Sequence, residues 1–182
     1  MRVEVYAPGS APGGDVLVIP PGLAGAPTSE ALEALRAYAR GGGKLLGLED
    51  GVAWLCAAAL LPGRVDPAPT SDTPTHVRIE GRATPFTWAI PAGRIVAVAA
   101  PTPVARYVAP DAEIVVLAAR GQIVLRYCDA SGGVHAAPIG GHAASVAGVC
   151  DESGRIVGVF APSTAGFDTD LGRQLLACLR HG

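Results

Sequence analysis

The sequence predicts an α/β fold built on an open, mostly parallel sheet, with additional antiparallel hairpins in the C-terminal half. Three observations predict it. "DVLVIP", Asp15 to Pro20, is an unbroken apolar run rich in Val and Ile, the pattern of a strand buried on both faces. The N-terminal third alternates strand-like and helix-like segments, as parallel sheets require. The later chain carries short β-type runs separated by Gly- and Pro-rich turns.

The elements follow in order. Arg2 to Tyr6 alternates and reads as a first strand ending at "APGS". "DVLVIP" is the second, followed by the loop "PGLAGAPTS". Thr28 or Ser29 caps a helix with Glu30 in its first turn and Leu32, Leu35 and Tyr38 at helical spacing. "GGG" at 41–43 ends that helix. "KLLGL" is the next strand and "GVAWLCAAALL" the next helix, stopped by Pro62 and Gly63. Beyond "DPAPTSDTPT", the loosest loop, "HVRIEG", "TPFTWAI", "RIVAVAAP", "EIVVLAARGQIVLRYCDASGGVH" and "SVAGVCDESGRIVGVFAP" read as β segments, with hairpin turns at "DASGG" and "DESGR". A final helix in "DTDLGRQLLACLRHG", capped by Asp168 or Thr169, buries Leu171, Leu175, Leu176 and Leu179. No internal repeat or linker divides the chain, so residues 1–182 read as one domain.

Composition narrows the function. The net charge is −2 and charged residues make up 16% of the chain, with no basic patch, which argues against a nucleic-acid partner. The longest apolar run, Val52 to Leu61, falls well short of the roughly 20 residues of a membrane span. "MRVEVYAPGS" lacks the apolar core of a signal peptide, so a soluble, cytoplasmic protein is expected. Cys56, Cys128, Cys150 and Cys178 form no CxxC pair and are expected as buried small hydrophobes. The histidines show no zinc-site spacing; no metal or cofactor is expected.

The chemistry centres on "GKLLGLEDGVAWL". A strand, a sharp turn and a helix outline the nucleophile elbow of hydrolytic α/β enzymes, but the middle residue is Glu49. With "DVLVIPPG", "GLEDGVAWLCAAALLPG", "ARYVAP", "LRYCDASGG" and "VAGVCDESGRIVGVFAPSTAG" in this order, the chain resembles the class I (triad) glutamine amidotransferases. In particular it is similar to the glutaminase subunit of phosphoribosylformylglycinamidine synthase, an enzyme of purine synthesis. The resemblance implies a flavodoxin-like sheet, shortened near residues 7–14, where the family has a further helix and strand.

It also implies that the catalytic parts are replaced. The family's nucleophilic Cys aligns with Glu49, its His with Pro162 and its Glu with Thr164. The first Gly of its oxyanion-side Pro-Gly-Gly aligns with Pro21, and the Asn-Pro-Asn-Gly-Ser loop lies near "APIGGH". A Glu attacking an amide would form an anhydride, Pro162 cannot transfer a proton, and Pro21 has no N–H. Losing one triad member already costs several orders of magnitude in rate.

Glutaminase activity is therefore expected to be absent, and the chain to act by binding. The candidate cleft comprises Pro21, Gly22, Glu49, Asp50, Gly51, Arg106, Tyr107 and His142. Its candidate ligand is a small amine; its candidate partners are a synthetase subunit or a second copy of the chain. Glu49 is open to three roles: capping its helix, binding a ligand, or acting as an acid or base with His142 as partner. A functional glutaminase whose nucleophile lies elsewhere is the remaining alternative.

Overall fold

The computed structural model describes residues 1–23, 25–67, 75–81, 84–98, 106–134, 142–161 and 170–181. In chain order the strands are β1 (Val3–Val5), β2 (Val16–Ile19), β3 (Lys44–Leu48), β4 (Arg64–Asp66), β5 (Thr75–Ile79), β6 (Ile95–Val98), β7 (Arg106–Val108), β8 (Ile123–Cys128), β9 (Val146–Cys150) and β10 (Ile156–Val159). The helices are α1 (Ser29–Arg40), α2 (Val52–Ala57), α3 (Asp111–Ala119) and α4 (Asp170–His181).

Eight strands form one sheet in the order β1-β2-β3-β10-β9-β8-β5-β6. β1, β2, β3 and β10 run parallel to their neighbours, and the pairs from β10 through β9, β8, β5 and β6 are antiparallel. The expected α/β class and the expected C-terminal hairpins are both present.

Alternation along the strands builds two cores. Val16, Val18, Leu46 and Val157 face α4, which supplies Leu171, Leu175, Cys178 and Leu179. Leu17, Ile19 and Leu45 face the other way, onto Leu35 of α1, Leu55 of α2 and Leu117 of α3. β2 is thus buried along its whole length, as the unbroken apolar run requires. Thr28 caps α1, accepting the Ala31 N–H at 3.2 Å, and Gly41 ends it. Asp168 and Thr169, and the Leu176 side chain, lie outside the described residues.

Three expectations need correction. "EIVV" is helix, not strand: α3 follows Pro110, carries Asp111 and Glu113 in its first turn, and buries Ile114 and Leu117. Acids suit a helix amino end, and the β-branched run had suggested strand. "TPFTWAI" is a string of buried turns. Thr84 Oγ1 accepts the Phe86 N–H at 3.1 Å, and the Thr84 carbonyl accepts those of Thr87 and Trp88. Trp88 Nε1–H donates to the Cys178 carbonyl at 2.9 Å and ties these turns to α4. Finally, α2 stops at Ala57 rather than at Pro62, because Ala59 takes a positive φ of 54°. A small antiparallel pair, β4 with β7, was not foreseen.

Candidate active site

The elbow is formed as a strand–turn–helix. β3 ends at Leu48, Glu49–Gly51 make one 3-10 turn, and α2 begins at Val52. Glu49 sits at φ +51°, a left-handed conformation that L residues other than Gly, Asn and Asp seldom adopt. It is also buried, at 8% exposure. Strain of this kind clusters at functional sites, and this turn follows the carboxyl end of β3. The N-cap position of α2 falls to Gly51, not to Glu49.

Gly51 is required by contact. A Cβ there would lie 2.6 Å from the carbonyl oxygens of both Ile19 and Pro20. The elbow therefore packs directly on the loop after β2, where Pro21 and Gly22 stand. Gly22 turns with φ +76°, and its N–H donates to Asp50 Oδ1 at 2.9 Å. The Asp50 carboxylate therefore binds the loop opposite.

A second group gathers around β7. The Tyr107 N–H donates to His142 Nδ1 at 3.1 Å. His142 is buried, and its ring lies against Tyr127 (4.9 Å between centroids) and Phe160 (5.6 Å). Burial, reinforced by the nearby Arg106 guanidinium, lowers the His142 pKa to about 4. The ring is therefore neutral near pH 7. With Nδ1 accepting, its proton resides on Nε2.

Tyr127, against the His142 ring, was not singled out in the sequence. It is fully buried on β8, and its hydroxyl has no hydrogen-bond partner among the described residues. Burial pushes its phenol well above the usual range, and the negative charge of Glu49 pushes the same way. The structure thus brings Pro21, Gly22, Asp50 and Gly51 together, sets Arg106, Tyr107 and His142 together, and lays the Tyr127 ring against His142. Pro162, Thr164 and residues 137–141 lie outside the described residues.

The thiols lie mostly in the interior. Cys128, Cys150 and Cys178 are buried, and all four cysteines are free. Burial pushes the thiols of Cys56 and Cys150 up to about 12, so both stay protonated near neutral pH. Among the described residues no three His, Cys, Asp or Glu side chains are grouped to hold a metal ion, and no helix is long and apolar enough to cross a membrane.

With this geometry in place, comparison with known proteins is informative. Phosphoribosylformylglycinamidine synthase subunit PurQ of Nitrobacter winogradskyi is 36% identical over 159 residues, covering 85% of this chain and 67% of that protein. The PurQ subunit of Bradyrhizobium diazoefficiens is 34% identical over 168 residues, covering 85% of this chain and 72% of its own length. The chain belongs to the PurQ family. No family model matches it. A solved PurLQS structure from Thermotoga maritima superposes with a TM-score of 0.66 at 18% identity, covering 92% of this chain and 79% of the matched one. The PurQ-type fold, that of class I glutamine amidotransferases, is therefore present across nearly the whole chain.

Proposed function

We propose that this chain is a single-domain, cytoplasmic PurQ-family protein that does not hydrolyse glutamine and acts by binding. The observation that carries this reading is Glu49 in the strained turn after β3, the position to which the sequence resemblance assigns the family's nucleophile. Two others support it. The Gly22 N–H, a donor on the oxyanion side, is engaged by Asp50. The Cys56 and Cys150 thiols are held protonated, which argues against a nucleophile displaced elsewhere. By the sequence resemblance, Pro162 and Thr164 stand at the positions of the remaining triad members.

The binding partner we assign is a synthetase subunit, by analogy with the PurLQS assembly of Thermotoga maritima. The test is twofold. A chloroketone analogue of glutamine should leave the intact mass of the purified chain unchanged, and a synthetase subunit titrated against it should give a saturable binding curve. Stoichiometric labelling of any cysteine would overturn the catalytic half. Absence of binding would overturn the partner half.

One observation favours a second role for the same site. The charge of Glu49 is felt at the buried Tyr127 hydroxyl, which has no hydrogen-bond partner among the described residues. A small amine can donate to the Glu49 carboxylate and to the Tyr127 hydroxyl oxygen, so the two suit a small amine-containing ligand. Thermal-shift titration with ammonium and small primary amines tests this. A stabilisation lost in both Glu49→Gln and Tyr127→Phe supports it; no shift in the parent protein refutes it.

A further inference from the structure

Among the described residues the large sheet ends at β1, which pairs with β2 on one side only. Its inward bonds come from even-numbered residues. The Arg2 carbonyl accepts the Asp15 and Val16 N–H groups at 2.8 and 3.3 Å, and the Tyr6 N–H donates to the Val18 carbonyl at 2.8 Å. Strand alternation therefore turns the N–H and C=O groups of Val3 and Val5 outward. Their side chains are exposed as well, Val3 at 37% and Val5 at 59%. Edge strands are usually blunted by proline, lysine, a bulge or a cover. β1 has no Pro, Lys or bulge, and its charges, Arg2 and Glu4, have opposite signs.

We propose that the outer edge of β1 pairs antiparallel with β1 of a second copy of this chain, about a two-fold axis at Val3. The outward groups and the charges select this register together. Val3 meets Val3 of the partner subunit as a hydrogen-bonded pair, and Val5 meets Met1 of the partner subunit. Arg2 then stands opposite Glu4 of the partner subunit in a non-hydrogen-bonded pair. Such pairs bring Cα atoms to about 4.5 Å and side chains closest. Moving the axis one residue either way sets Glu4 against Glu4, or Arg2 against Arg2. The strand is thus self-complementary in one register and self-repelling in the two beside it.

A two-fold contact closes at the dimer, whereas β1 pairing with the opposite edge strand, β6, would build open filaments. The contact runs only from Met1 to Val5 on each side, so the dimer belongs to the weak, concentration-dependent class. The pairing does not depend on whether glutamine is hydrolysed or a synthetase is bound.

Sedimentation equilibrium over a concentration series tests it on the full chain, with thermal unfolding as a check on folding. The parent should show a monomer–dimer equilibrium. Arg2→Glu and Glu4→Arg, each alone, place like charges across the axis twice and should raise the dimer dissociation constant about tenfold. An equimolar mixture of the two variants should associate about as well as the parent, because every cross-strand pair becomes opposite again. A purely intramolecular role of the Arg2–Glu4 ion pair, 3.3 Å long, predicts no such rescue. Val3→Pro should retain the fold, since its N–H faces outward, and abolish the dimer. A parent that stays monomeric throughout, species larger than a dimer, or a mixture that associates no better than its components would overturn the proposal.

Discussion

Glu49, Asp50 and Gly51 are three neighbours with three different constraints. Glu49 carries a positive φ, Asp50 holds the Gly22 N–H, and Gly51 lies against two backbone carbonyls. Gly51→Ala should destabilise the protein by about 2–3 kcal/mol, because the obstructing atoms are backbone and cannot rotate aside. Asp50→Ala should cost about 1 kcal/mol through one lost hydrogen bond. Urea unfolding of both variants measures the difference. His142 makes a pH prediction. Its pKa is about 4 in the folded protein against an ordinary 6.5, so the unfolded chain binds more protons between these values. Stability should be fully present above pH 6.5 and fall by about 3 kcal/mol as pH drops toward 4. In His142→Gln that part of the slope should vanish, read from urea midpoints at pH 7 and pH 5. At this scale the sequence was only partly legible. The Gly flanking the elbow and the odd Glu inside it were visible; Tyr127 was not, because a Tyr in an apolar strand carries no mark of what it lies beside.

Among the elements, α3 separates local preference from tertiary packing. Ile114-Val115-Val116 has strand propensity, yet the nine residues are helical, with Ile114 and Leu117 buried and Val115 68% exposed. Ile114→Ala and Leu117→Ala should each destabilise by about 2–4 kcal/mol, and Val115→Lys by less than about 0.5 kcal/mol. A strand would instead put Val115 and Leu117 on one face, so equal sensitivity of those two would contradict the helix. Chemical denaturation of the three variants decides it. Elements with one dominant signal were legible in advance: β2 from its unbroken apolar run, α1 from Thr28 and its spacing, β9 and β10 from the "DESGR" turn between them. The segment at 84–90 was not, because Thr84 organises its turns through hydrogen bonds that leave no periodic trace.

Over the whole molecule, the order of the strands is what brings the site together. β3 lies between β2 and β10, so the elbow after β3 sits beside the loop that carries Pro21 and Gly22. That adjacency was legible through the family resemblance, which supplied the topology as well as the motifs. Periodicity alone reached only the α/β class. The same topology leaves β1 as a sheet edge, a consequence of the short Tyr6-to-Asp15 connection. The central claim is that this PurQ-family fold is kept while its hydrolytic chemistry is gone. The most direct measurement is glutamine-dependent ammonia release by the purified chain, alone and with a synthetase subunit. We predict no release above the uncatalysed background in either case, and none in Glu49→Cys, since Pro162 and Thr164 remain. Turnover by the parent chain that disappears on replacing Glu49 or any single cysteine would contradict the account.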